Sequence, residues 1–353
     1  MRFYGEMKEA QSLMGKKMEP WKPAAPISKG AIAYHEAVEH AQYYIDVIDR
    51  LMADIVPKIK EGEVVVDFGA GTGVSASRFL NAVHARVSLW LVDNSPAWLG
   101  KAYDLFKGKE EISCYLLNKR NDEYSTLADA IGENVAHHVI SANTVHLIPD
   151  IAGAFKGIFN SLREQGTFDF DSGNIVVDGA PDGALLIDDT VRRVHDLAIE
   201  IINTDDAFLP YRRDIDERLR RFRQQRLFVF PEPKHLDFYI KALHTSGFEF
   251  CEGHHHLFKV KYGEWMSFLK VKRLQAGILP EVGGNSPSPV EEAARDRLIT
   301  LAATRLFREL ESSNPLADSE GFTIQVVYVG AKKPKTLVPS KRTIPSFLDP
   351  QAI

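Results

Sequence analysis

The chain has 353 residues, 44% of them hydrophobic and 26% charged, with a net charge of −5. That balance suits one large or two smaller globular domains and offers no basic footprint for nucleic acid. Two cysteines, Cys114 and Cys251, exclude a disulfide framework. The start MRFYGEMKEA has no secretory core, and no apolar run nears the about 20 residues that cross a bilayer. A cytoplasmic protein without membrane or nucleic-acid partners, monomeric or homodimeric, is the expectation.

The first 20 residues are charged and Met-rich, and the prolines of WKPAAPISKG mark a loop. Residues 31–60 are predicted as one helix, because Tyr34, Val38, Ala41, Ile45, Ile48 and Met52 recur at helical spacing. Val64, Val65 and Val66 then read as a buried strand. Further strands are predicted at VSLWLVD, ISCYLL, HHVISA and GTFDFDS, separated by helical stretches near 97–107, 124–131 and 150–164. This alternation predicts an α/β fold with a mostly parallel sheet and helices on both faces.

After residue 173 the pattern changes. Residues 190–226 read as charged helix, FPEP as a break, and 234–246 as helix again. GFEF begins a strand, EWMSFLKVKRL is helical, and PEVGGNSPSP is a loop. A long helix over 289–311 carries Ala294, Leu298, Leu301 and Ala302 on one side, and FTIQVVYVG is the last strand. The organisation is therefore an N-terminal helical segment (1–60), a core (61–173), and a helical insertion (174–235). The remaining sheet (236–331) carries a second insertion near 262–320, and a Lys- and Pro-rich tail spans 332–353.

The chemistry-bearing stretch is Asp67-Phe68-Gly69-Ala70-Gly71-Thr72-Gly73. A buried strand ends in an acid, three glycines alternate, and a helix begins. Glycines let the backbone turn sharply and approach a ligand, and the helix N-terminus lies beneath it. An acid two residues before the first glycine repels an anionic pyrophosphate but suits a cation. The next strand ends in Asp93, 20 residues beyond Gly73, where a carboxylate can take both ribose hydroxyls.

This stretch resembles motif I of the class I S-adenosylmethionine-dependent methyltransferases. The resemblance covers about residues 60–173 and the closing strands. It implies a Rossmann-like seven-stranded sheet and S-adenosylmethionine as cofactor. Asp67, Gly69, Ala70, Gly71 and Gly73 would cradle the methionine end, and Asp93 with Asn94 the ribose. Asn118 would face the adenine, at a position where the family often has an acid. Ala142 would lie in the segment where cofactor and acceptor meet. That segment reads Ser141-Ala142-Asn143-Thr144 and lacks the Asn/Asp-Pro-Pro-aromatic signature of base-directed methyltransferases, which speaks against nucleic acid.

The segments outside the core carry many aromatic residues and are expected to cap the carboxyl ends of the strands. They would enclose a small-molecule acceptor, with oxygen or carbon as the accepting atom, in secondary metabolism. His146 is the first candidate base, with Tyr34 and His35 behind it; Tyr44 is a substrate-contact candidate. Arg192, Arg193 and Arg213 would meet an anionic acceptor, although Asp214, Asp216 and Glu217 nearby suggest ion pairs on a solvated helix. His254-His255-His256 sits on a strand, where neighbours point apart, so no metal site is expected there or at His137-His138. The alternatives are an NAD(P)-dependent oxidoreductase and a non-catalytic nucleoside-binding protein.

Overall fold

The computed structural model describes residues 19–120 and 123–335. Most of the expected irregular start and tail lies outside these residues. The chain enters along the edge of the sheet, where the Trp21 N–H donates to the Cys114 carbonyl at 2.7 Å. Helices α1 (Lys29–Glu39) and α2 (Gln42–Ile55) follow. The core then alternates β1 (Val64–Phe68), α3 (Val74–Ala82), β2 (Ser88–Asp93), α4 (Pro96–Leu105), β3 (Ile112–Leu116), α5 (Leu127–Ile131), β4 (Ala136–Ser141), α6 (Ile151–Ser161) and β5 (Leu162–Ser172). Beyond it come α7 (Ile187–Thr204), α8 (Ile215–Val229), α9 (Leu236–Ser246) and β6 (Glu249–Lys261). The chain finishes with α10 (Tyr262–Leu269), α11 (Lys272–Ile278), α12 (Pro289–Ser313) and β7 (Gly321–Lys332).

The seven strands lie in the order β6-β7-β5-β4-β1-β2-β3. Strands β1 to β5 pair in parallel, and β7 runs antiparallel between β5 and β6. The chain leaves β1 toward β2 and β3, then returns to β4 on its other side. A crevice therefore opens at the carboxyl ends of β1 and β4.

Strand alternation sends side chains to two cores. Val66, Val139, Phe168 and Phe170 pack with Phe155, Ile158 and Tyr239 on the α5, α6 and α9 face. Val65, Leu91, Ile140, Val326 and Tyr328 pack on the opposite face, against α2, α3, α7, α10 and α12. The segments added to the core thus share one apolar mass over a single face.

Local details correct the sequence reading. The helix expected over 31–60 is two helices, because Ala41 is extended (φ −84°, ψ 106°). The break turns α1 away to pack on α4 and α10, while Tyr43, Val47, Ile48, Leu51, Met52 and Ile55 of α2 face the core. The expected helix at 190–226 breaks after Thr204, where the Asp205 carboxylate accepts from the Ala207 N–H at 2.9 Å and competes with the helical ladder. EWMSFLKVKRL likewise splits at Lys270–Val271. On α12 the buried stripe is Arg295, Leu298, Ile299, Ala302, Ala303 and Leu306; Leu301 is exposed.

Candidate functional site

The glycine loop leaves β1 with three left-handed residues, Gly69 (φ 78°), Gly71 (φ 54°) and Gly73 (φ 90°). A Cβ on Gly69 would overlap the Thr144 side chain, which folds over the loop from the segment after β4. The Thr144 hydroxyl donates to carbonyls of Ala142 (2.9 Å) and Gly69 (3.3 Å). Glycine is thus required both by backbone angle and by this approach.

Asp67 is wholly buried at the end of β1. Its Oδ2 accepts from the Ser75 hydroxyl at 2.5 Å, while Oδ1 has no donor. Burial pushes its carboxyl up to about 7, against the Ser75 hydrogen bond, and nearby Asp93 adds to the rise. Asp93 closes β2 and organises the loop: Oδ2 accepts from the Gly71 N–H (2.9 Å) and Oδ1 from the Ser95 N–H (2.7 Å). Burial raises its carboxyl, while these N–H groups and Arg273 lower it. Ala70 and Ala142 are buried at the loop; Asn94 and Asn118 are exposed at the ends of β2 and β3.

The cap meets the loop through α1 and α2. His35 Nδ1 lies 3.1 Å from the Thr72 hydroxyl, which ties α1 to the glycine turn. Tyr34 packs edge-on against Trp98 at 4.3 Å, and the Arg273 guanidinium stands 4.7 Å over the same indole. Tyr34 and Tyr44 interact with each other; burial raises both phenols. A cleft of about 530 Å³ opens between α8, α11 and the loop before α12, with Gln225, Lys272, Arg273 and Arg295 in its wall. Arg273 lines this cleft and acts electrostatically on Asp93.

His146 follows β4 and shares a 2.9 Å hydrogen bond with Ser172 at the end of β5. Burial pushes its imidazole down to about 4, so it is neutral at pH 7 and a weak base. The sign of its linkage follows directly. Unfolded chains take up a proton near the ordinary pKa of 6.5 and the folded chain only near 4, so stability present above pH 6.5 is lost as pH falls toward 4. Because the ring keeps part of its surface, the expected loss is about 1–3 kcal/mol. His146→Asn should show that much less acid destabilisation than the wild type in urea titrations at pH 7 and pH 4.5. Parallel curves for both proteins would refute it.

The arginine candidates pair with groups on their own and neighbouring elements. Arg192 pairs with Asp189 and donates to the Pro231 carbonyl, and Arg193 pairs with Glu200 and Glu309. Arg213 is exposed beside Asp214. His254 and His256 share one strand face and both contact Arg50. His137 Nδ1 accepts from the Val64 N–H, and His138 is bonded to Thr167.

The sequence reading missed Thr144, Trp98, Arg273 and above all Asp171. Asp171 is fully buried near the end of β5; Oδ1 accepts from the Asn143 N–H at 2.9 Å and Oδ2 has no donor. That bond holds Asn143 in a left-handed turn (φ 46°). Burial pushes its carboxyl up to about 8, and Asp67 adds to the rise. The signal was present in TFDFDS, where alternation puts two acids opposite Phe168 and Phe170 on a buried strand.

No family model and no curated protein matches the chain. Several solved structures are similar to it at TM-scores below 0.5. The Bacillus halodurans protein BH2331, described provisionally as a methyltransferase, is 15% identical over 82% of this chain and all of its own (TM-score 0.47). Phosphoethanolamine N-methyltransferase 2 of Haemonchus contortus, solved with S-adenosyl-L-methionine, is 16% identical over 87% of this chain and 57% of its own (TM-score 0.45). The [4+2]-cyclase SpnF is 13% identical over 81% of this chain and 80% of its own (TM-score 0.43). These likenesses concern fold alone and assign no chemistry. The fold is the Rossmann-like one, a mostly parallel seven-stranded sheet with added helices, that the glycine motif implied.

Proposed function

We propose that this chain binds S-adenosylmethionine on the glycine loop and transfers its methyl group to a small molecule. The observation that carries the reading is the Asp67 carboxylate, buried beneath the loop with one oxygen lacking a donor. A pyrophosphate brought there would meet a buried acid and be repelled; a cationic amino-acid end would satisfy it. The residues present therefore fit the cofactor. Gly69, Ala70, Gly71 and Gly73 would cradle its methionine part, Asp67 would face the ammonium, and Asp93 with Asn94 would take the ribose. Asn118 and Trp98 flank the place of the adenine. When bound, the cofactor supplies a methyl group on a positively charged sulfur.

The chain's own contribution is alignment and exclusion of water. Thr144 and His35 hold the loop from two sides, and Tyr34 packs on Trp98 of α4. His146, neutral and anchored by Ser172, positions the end of the acceptor segment. An enclosed, partly aromatic pocket for an oxygen or carbon acceptor in secondary metabolism completes the reading from sequence. Among the described residues no helix is long and apolar enough to cross a membrane, and neither membrane nor nucleic acid enters the proposal.

Calorimetric titration with S-adenosylhomocysteine and, in parallel, NADH tests it. Micromolar binding of the first and none of the second is expected. Binding of NADH alone would move the protein to the oxidoreductases, and binding of neither would refute the cofactor assignment.

A further inference from the structure

Two buried acids on the same face of the sheet each keep one oxygen without a donor: Asp67 on β1 and Asp171 on β5. The cofactor, as proposed above, accounts for the first. Asp171 stands two strands away, past β4, on the side where the Asn143–Thr144 turn and His146 border the acceptor's place. Nothing in the proposed cofactor site accounts for it.

The surroundings of Asp171 are specific. Lys58 is bonded to Asp169, the neighbouring acid on β5, at 2.9 Å. Tyr328 is its cross-strand neighbour on β7, and that phenol is committed to the Val47 carbonyl at 3.0 Å. Tyr44 of α2 lies within electrostatic reach and interacts with Tyr34, and both tyrosines keep part of their surface. The result is a buried carboxyl oxygen without a donor, with the Tyr44 and Tyr328 phenols in electrostatic reach of it. An anion is repelled there. With its carboxyl pushed up to about 8, Asp171 is charged at neutral pH only where a cation balances it, and a neutral hydroxyl brings no such charge. An ammonium brings both the missing donor and the balancing charge.

We propose that Asp171, with Tyr44 and Tyr34, binds the cationic nitrogen of an amine acceptor, making nitrogen rather than the expected oxygen or carbon the methylated atom. The inference rests on the S-adenosylmethionine reading. The site also suits the proton balance. An ammonium N–H hydrogen-bonded to Oδ2 can pass its proton to that oxygen, leaving a neutral amine with a free lone pair and a protonated Asp171. The carboxyl, held near 8 by burial, is matched to such an exchange at neutral pH.

The test uses the full chain saturated with S-adenosylhomocysteine, titrated calorimetrically with matched probes. 2-Phenylethylamine and n-butylamine are compared with 2-phenylethanol and n-butanol, and with 3-phenylpropanoate and pentanoate. At least one amine should bind about tenfold or more tightly than its alcohol and acid. Asp171→Asn, which keeps an acceptor for the Asn143 N–H, should erase that preference while changing S-adenosylhomocysteine affinity less than about twofold. Tyr44→Phe, which keeps the ring, should reduce the preference and serves if Asp171→Asn fails to fold. Equal binding of the three classes, no amine binding, or a preference surviving in Asp171→Asn overturns the proposal. So does Asp171→Asn weakening S-adenosylhomocysteine as much as the amine, which would give Asp171 to the cofactor. Failure of S-adenosylhomocysteine to bind the wild type removes the cofactor reading itself, and the inference with it.

Discussion

Asp93→Ala is expected to weaken S-adenosylhomocysteine binding by about 1–3 kcal/mol, roughly five- to more than a hundredfold. Two losses combine. The ribose hydroxyls lose a charged acceptor, and the Gly71 and Ser95 N–H groups, now held at 2.9 and 2.7 Å, lose theirs. The second loss loosens the glycine turn, so the effect should include the methionine end as well as the ribose. Asp93→Asn keeps an acceptor oxygen and should fall between the two. Titration of the three proteins under one buffer condition decides it. Equal affinity for wild type and Asp93→Ala would mean that the nucleoside is not held at the end of β2.

The largest stability effect is expected at Trp265 on α10. Its side chain is 2% exposed, stacked on Phe268 at 4.6 Å, and set near Tyr43 and Phe322. Truncation to alanine should cost about 3–5 kcal/mol, from lost apolar burial and the cavity left in a packed interior. Trp265→Phe should cost far less, since a ring still fills most of the space. It also removes an indole N–H that is buried without an acceptor. Urea denaturation without ligand measures both. A Trp265→Ala cost below about 1 kcal/mol would show that this interior refills on truncation. Because Phe268 and Tyr43 touch Trp265 while Tyr34 touches Phe268, the alanine variant should also loosen the packing of α1 on Trp98.

The elements legible from sequence were those whose cause is local. Val64–Val66 reads as a buried strand because β-branched residues cluster there. Gly69, Gly71 and Gly73 read as a ligand-cradling turn because only glycine adopts such angles freely, and all three do. Asp93, at the end of the second strand, was found by its spacing from that turn, and it does hold the loop. Helix breaks were less legible. Ala41 is extended although nothing in HAQ forbids a helix, because α1 gains more by lying across α4 and α10 than by continuing α2.

Sequence alone determined the class of the fold and the glycine turn after the first strand, since hydrophobic alternation and glycine geometry act over a few residues. Tertiary structure decided which buried groups are left without a partner. Asp171 stands out only when β5 is placed two strands from β1 and comes within electrostatic reach of Tyr44 from a helix more than a hundred residues earlier. Arg192 and Arg193, which looked available along the chain, are taken up by Asp189, Glu200 and Glu309 once α7 packs on α12. Whether a charge is paired, and what it faces when buried, depends on contacts between distant segments, and those are set by packing rather than by any local pattern.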